Sequence, residues 1–341
     1  MENNFTFFNL NGKDEFSKLN GSDLQELIVQ LNDYYLDLRE SLGFDKSITF
    51  GLELEFEKMK VKVETLFDIF SKLEVSYLWN NSSDGSLVKG WEIQSPIFKD
   101  NPDTWRELST VCEFVSSYAK VGKHCAGHVH VGTHVLGYEI DTWLKFLKLW
   151  SVYENIIYRF SYNEYLNKLP GICYCSPTAV KFYDLMKSYS ERKDTDIDDL
   201  ICSLSHERAQ AVNFQNVNTN HKRQYYGNTI EFRCPNGTLN PVVWQNNVNL
   251  FAKLILYSKS NNFDEDIIEK RNNKELSRVC EPRYSLYNQI YLEQALELCD
   301  LIFDRNIDKI YFLKQYLKSF QTVDSEDKKM KKTLKFTKSK K

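Results

Sequence analysis

The sequence predicts an α+β fold, a largely antiparallel sheet backed by helices. Short segments of period-two alternation recur at residues 48–57, 88–94, 126–132 and 229–233. Between and after them run longer stretches with apolar residues at helical spacing. The two kinds lack the regular strand–helix alternation that builds a parallel sheet. With 341 residues, 42% apolar and 14% aromatic, the chain has material for one substantial core with appendages rather than several domains.

Each element follows from local signals. Ser22 with Gln25 reads as a capping box, and Leu24, Leu27, Ile28, Leu31, Tyr35 and Leu38 keep helical spacing until Gly43. Residues 1–46 therefore form an N-terminal helical extension. Gly51-Leu52-Glu53-Leu54-Glu55-Phe56-Glu57 is a strand, and residues 61–74 are a helix. A strand near Tyr77-Leu78-Trp79, a wide polar turn through Asp84-Gly85 and a strand over 88–94 read as a hairpin closed by Pro96. Asp103 is placed to cap a helix running to about residue 121, and residues 141–160 form a long aromatic helix.

A short helix lies between residues 177 and 189, before an acidic loop at 194–199. Residues 208–217 and 228–233 look like paired strands, and Pro241 opens a helix that reaches Lys259. The main unit thus spans 47–260. Helices at 286–303 and 307–320 fall in a C-terminal segment, 261–322, packed on it. The lysine-rich tail, 323–341, has no apolar periodicity and reads as solvated and disordered.

Composition narrows the function. A net charge of −3 gives no global attraction to nucleic acid or anionic lipid, so a small-molecule or peptide partner is expected. No run reaches the length of a membrane span, and Met1-Glu2-Asn3-Asn4 lacks the basic flank of a secretory signal, so a cytoplasmic protein is expected. The eight cysteines form no zinc-type pairs, Cys173-Tyr174-Cys175 being too closely spaced, and read as reduced thiols.

Four strand candidates carry apolar residues on one face and metal- or phosphate-competent residues on the other. Glu53, Glu55 and Glu57 alternate with Leu52, Leu54 and Phe56, about 7 Å apart. The hairpin adds Asp84 and Glu92. His128 and His130 share a face in Ala126-Gly127-His128-Val129-His130-Val131-Gly132, and Glu231 points with Arg233 in Thr229-Ile230-Glu231-Phe232-Arg233. Arg208 adds a second guanidinium, while His124 and His134 fall outside the alternation and are assigned to the surface.

Singly, each segment could be a wet strand face, a turn or an ordinary ion pair. Together they accumulate acids that repel unless cations sit among them. Oxygen-rich coordination with one imidazole suits Mg²⁺ or Mn²⁺ better than structural zinc, and two arginines with a second histidine suit a polyphosphate. A phosphate loop at Gly127 to Gly132 fails because Thr133 stands where lysine is required, and His206-Glu207-Arg208-Ala209-Gln210 lacks the second histidine of a zinc protease. Neither a serine-nucleophile elbow nor a Rossmann fingerprint is present.

The order of these motifs resembles the amidoligase family, relatives of glutamine synthetase and glutamate–cysteine ligase. The matching pieces are Phe50-Gly51-Leu52-Glu53-Leu54-Glu55-Phe56, Asp84-Gly85-Ser86 with Trp91-Glu92-Ile93-Gln94-Ser95-Pro96, Gly127 to Gly132, Arg208 with Asn213, and Thr229 to Arg233 with Gly237-Thr238-Leu239-Asn240. The resemblance implies a glutamine-synthetase-like curved antiparallel sheet whose concave face holds ATP and two or three metal ions. It further implies that Glu53 and Glu55 serve different ions, Asp84 and Glu92 one of them, and His128 with Glu231 the other. His130, Arg208 and Arg233 are implied phosphate contacts and catalytic groups. Glutamine synthetase has glutamate where Asp84 stands. Tyr174-Cys175-Ser176-Pro177 is similar to a family segment without an assigned role.

The expected activity is ATP- and Mg²⁺-dependent joining of a carboxylate to an amine through an acyl phosphate, with Glu57 a candidate general base. Two alternatives stay open: a metal-dependent hydrolase using the same carboxylate and histidine cluster, and a non-catalytic nucleotide-binding protein.

Overall fold

The computed structural model describes residues 5–83, 85, 87, 89–122, 124–161, 174–192, 196–217, 228–275 and 291–317. Seven strands form one sheet: β1 (Thr49–Phe56), β2 (Asn80–Ser82), β3 (Trp91–Gln94), β4 (Phe98–Lys99), β5 (Gly127–Gly132), β6 (Val212–Asn213) and β7 (Thr229–Phe232). Their order is β2-β3-β1-β5-β7-β6, with β4 pairing the start of β1, and every ladder is antiparallel. Ten α-helices are described: α1 (Gly21–Asp33), α2 (Val63–Phe70), α3 (Pro102–Tyr118), α4 (Ile140–Ser161), α5 (Ala179–Ser190), α6 (Ile197–Leu204), α7 (Pro241–Lys259), α8 (Glu265–Glu275), α9 (Leu292–Ile302) and α10 (Asn306–Leu317).

The apolar half of each alternating strand turns toward the helices. Leu54, Phe56, Val129, Val131, Ile230 and Phe232 are fully buried. Phe50 stacks on Trp105 of α3 at 5.2 Å, and Phe232 stacks on Phe251 of α7 at 4.2 Å with Trp150 of α4 at 5.7 Å. Such contacts fix helix against sheet through large, stiff side chains. Gly127 permits the closest approach, since a Cβ there would lie 2.7 Å from the Trp244 ring. The acidic half of each strand is left on the opposite face.

The chain ends wrap each other. Past α1 the backbone runs extended, where the sequence predicts helix to Gly43. Here tertiary bonds override local periodicity: Arg39 N–H donates to Gln245 Oε1 (2.9 Å), and the Tyr311 hydroxyl donates to the Asp37 carbonyl (2.9 Å). The Lys314 ammonium, on α10, takes the α1 carbonyls of Leu31 and Asn32, satisfying the helix end. Burial pushes that lysine down to about 8. No capping box forms at Ser22; the N-cap is Asn20.

Other boundaries also move. Asn101, not Asp103, caps α3 by accepting from Thr104 N–H (3.0 Å), with Pro102 in the first turn. Residues 76–78 form a 3₁₀ turn, and the strand that pairs β3 is Asn80–Ser82, so the hairpin exists one step later. Only Val212–Asn213 of the predicted 208–217 strand pairs with β7. Asp196 caps α6, which contains Asp198 and Asp199 of the predicted acidic loop. Helix α8, almost without apolar residues, went unpredicted; Lys148 holds its Glu265 and Glu269, and its Arg271 bonds Glu297 of α9 at 2.8 Å. The tail and the 286–290 and 318–320 ends of the predicted C-terminal helices lie outside the described residues.

Asp308 is the buried hub of the wrap, bonded to Arg39 Nη1 (2.6 Å), Arg305 Nε (3.0 Å) and Asn249 Nδ2 (2.9 Å). Asp308→Ala leaves Arg39 buried without its counter-ion and is expected to cost about 3–5 kcal/mol, read as a lowered midpoint in urea unfolding.

Candidate active site

Strand register builds the site. Glu53 stands opposite Gln94 of β3 and His128 of β5, Glu55 opposite Glu92, and His130 opposite Glu231, which in turn faces Asn213 of β6. Residues from five strands thereby share one face. Ser82 of β2 faces Glu92 at the edge.

His128 is the centre. Its Nδ1 lies 2.7 Å from Glu53 Oε2 and 3.4 Å from Glu231 Oε1, while its Nε2 lies 3.8 Å from Glu55 Oε1. His130 Nε2 meets the other Glu53 oxygen at 3.0 Å. Arg233 Nη1 pairs with Glu231 Oε1, and Asn213 Nδ2 donates to Glu231 Oε2 at 2.7 Å. Ala126 N–H donates to Glu55 at 2.5 Å. Glu92 accepts from Gln94 Nε2 (2.6 Å) and Ser82 Oγ (3.1 Å).

Electrostatics follow from burial against neighbours. Burial opposes ionisation of Glu53, but the hydrogen bonds and charge of His128 and His130 prevail and hold its carboxyl far below the usual range. Glu231 is likewise lowered: burial disfavours its charge, and His128, His130 and Arg233 more than compensate. His128 is raised, its burial outweighed by the Glu53 contact. Glu92 goes the other way, pushed up to about 7 by burial and then by the Glu53 charge.

Glu53, His128 and Glu231 each offer one ligand atom within 4.8 Å of the others, and Glu55, Glu92 and His128 do the same. The two sets share His128. A buried group of four carboxylates and one imidazole fits a hard divalent ion such as Mg²⁺ or Mn²⁺.

The structure does not assemble every residue selected from sequence. Arg208 sits in an exposed loop before Gln210, off the strand, and makes none of the cluster's bonds. Asp84 lies outside the described residues. Glu57 is buried but stands apart, its Oε1 3.5 Å from His124 Nδ1, in space that a Cβ on Gly122 would enter. His124 is therefore half-buried against an acid rather than a surface group, whereas His134 is exposed as expected and bonds the Ser47 carbonyl. Gln94, Ser82 and the Ala126 amide hold the acids without having been singled out. Gln94 alone was signalled, by its i+2 spacing from Glu92.

The model of a family described as "Putative amidoligase enzyme" matches residues 60–255. The chain belongs to that family. No curated protein matches it. Within the amidoligase match lie Glu92, His128, His130, Glu231 and Arg233; Glu53 and Glu55 precede it and join through the β1 register. No helix among the described residues is long and apolar enough to cross a membrane.

The raised Glu92 pKa sets a pH dependence. Between its unfolded value, near 4.5, and about 7, the folded state holds a proton that the unfolded chain releases. Stability from Glu92 is thus full at low pH and lost as pH rises through that window. In metal-free buffer the melting temperature of wild type is expected to fall more steeply from pH 5 to 7.5 than that of Glu92→Gln, and Mn²⁺ to flatten the wild-type slope by displacing the proton.

Proposed function

We propose that this amidoligase is an ATP- and Mg²⁺-dependent carboxylate–amine ligase that forms an amide or peptide bond through an acyl phosphate. The observation carrying the reading is the pair of overlapping donor sets joined at His128 and bordered on one side by His130 and Arg233. Magnesium ions held between those sets would neutralise the transferring phosphoryl group and the departing diphosphate.

The chain's own groups supply placement. Arg233, fixed by Glu231, presents a planar guanidinium to a phosphoryl oxygen, and His130, anchored between Glu53 and Thr229, adds a second contact. The acid's carboxylate oxygen attacks the γ-phosphorus and ADP leaves. A bound amine then attacks the acyl carbon, the C–N bond forms, and phosphate leaves with the C–O bond electrons and takes up the proton that the nitrogen releases. Burial of Glu55, Glu92 and Glu231 on that face would limit water around the acyl phosphate.

Supplying acid and amine pools with MgATP should yield ADP, phosphate and a product heavier by the amine less water. Glu53→Ala and Glu231→Ala are expected to lower kcat by at least about 10²-fold with circular dichroism unchanged, and Arg233→Lys to impair turnover because an ammonium cannot make a bidentate phosphate contact. ATP-independent hydrolysis by wild type would instead establish a metal hydrolase, and full activity in either alanine variant would remove that residue from the metal site.

A further inference from the structure

Glu57 directly follows β1, on the face that carries Glu53 and Glu55, and an antiparallel bridge to Lys120 holds its backbone. The loop leading into β5 serves both neighbouring acids. Ala126 N–H donates to Glu55 Oε2 at 2.5 Å, and His124 N–H donates to Glu57 Oε1 at 3.4 Å. Glu57 therefore borders the donor sets at their Glu55 end, about 7 Å further along the strand.

Glu57 is 5% exposed, and a buried carboxylate requires partners. Both side-chain contacts it makes among the described residues come from His124: the backbone amide and the ring, whose Nδ1 lies 3.5 Å from Glu57 Oε1. Gly122 leaves room for the carboxylate, since a Cβ there would collide with it. The His124 side chain is 33% exposed, Glu57 is the one charged group it contacts among the described residues, and its Nε2 makes no hydrogen bond with them. A carboxylate at Nδ1 favours the tautomer protonated there and leaves Nε2 as a proton acceptor.

The ligase chemistry calls for such a group. Amines are mostly ammonium ions near neutral pH, and the nitrogen must lose a proton before its lone pair can attack. His130, a phosphate contact of the ligase reading, pairs opposite Gly51, whereas His124 contacts Glu57, so Glu53 and Glu55 lie between the two imidazoles along β1. His124 thus stands at the end of the site away from that phosphate contact, where an amine approaching an acyl carbon held over the donor sets would pass.

We propose that His124 is the base that takes a proton from the amine substrate, and that Glu57 is a positioning residue that holds its ring. This rests on the ligase reading and adds to it the group that activates the nucleophile. Nε2 takes one proton from the ammonium, and the neutral amine that results forms the C–N bond with its lone pair. The imidazolium, paired with Glu57, then returns its proton to water on the exposed side of the ring.

The test uses the full chain with MgATP and the common amino acids as source of both acid and amine, with and without hydroxylamine. Hydroxylamine is largely unprotonated near neutral pH and traps an acyl phosphate as a hydroxamate without help from a base. His124→Ala is expected to lower amide formation by at least about 10²-fold and to keep hydroxamate formation near the wild-type rate, with circular dichroism unchanged. Added imidazole should restore part of the amide rate. Glu57→Gln should lower amide formation alone, by less than His124→Ala does, and should weaken the Nδ1–H tautomer signal of His124 in heteronuclear NMR. Equal loss of amide and hydroxamate in His124→Ala, an undiminished amide rate, or wild-type hydroxamate without amide overturns the proposal. A wild-type His124 without the Nδ1–H tautomer overturns it whatever the turnover. No hydroxamate from wild type with any acid supplied sinks the ligase reading itself.

Discussion

Four carboxylates, Glu53, Glu55, Glu92 and Glu231, crowd one buried sheet face around a single imidazole, and the surrounding structure answers that crowding. Like charges about 4 Å apart at an effective protein dielectric near 20 cost on the order of 4 kcal/mol, comparable with the stability of a whole domain once two such contacts are added. The chain meets part of this with its own cations: His128 and His130 on Glu53, Arg233 on Glu231. It meets another part with a proton, since Glu92 is raised to about 7. What remains is a demand for positive charge that divalent ions could satisfy without further side chains, since two groups of donors there have the spacing to hold one.

Holding these groups together requires a scaffold that yields little. The register of β3, β1, β5, β7 and β6 assigns each acid one neighbour, and a slip of one residue would turn every acid into the aromatic layer. That layer resists the slip, because Phe50, Phe232, Trp105, Trp150 and Phe251 interlock on the other face. The terminal wrap, through Asp308, Arg39 and Lys314, ties α1, α7 and α10 into the same body. The geometry of the acid cluster is thus held by apolar packing behind the sheet and by buried ion pairs of the terminal wrap, neither touching the acids.

The strands bearing Glu53, Glu55, His128, His130 and Glu231 were legible because a period of two cannot put apolar and polar residues on opposite faces by accident in four places. Long helices with proline starts, such as α7, were legible for a similarly local reason. What sequence concealed was set by tertiary contacts. The extended path after α1 depends on Gln245 and Tyr311, over two hundred residues away. Arg208, expected at the site from the resemblance of the motif order, sits in an exposed loop, because the pairing of β6 with β7 begins only at Val212. Helix α8 has no apolar stripe beyond the buried Ile268, and Lys148, Glu293 and Glu297 tie it to its neighbours by ion pairs. Gln94 and Ser82 act on Glu92 only once β2 and β3 have paired.

Sharing of His128 between the two donor sets has a consequence for how the site behaves as a unit. Its Nδ1 faces Glu53 and Glu231, and its Nε2 faces Glu55. A neutral ring carries one proton, so the nitrogen that serves an ion is set by which carboxylate receives the hydrogen bond of the other. An ion at one set would therefore fix the tautomer presented to the second, so that the two sets would be coupled through a single proton rather than through space alone. Substitutions on opposite sides of His128 belong to one interaction network, and their effects on metal binding will not add. The same coupling ties the protonation of Glu92 to that of Glu53, whose charge helps raise it. An ion on the Glu53 side would withdraw part of that charge from Glu92, yet it would leave the ring proton on Nε2 and keep His128 from serving the Glu55 side at the same time.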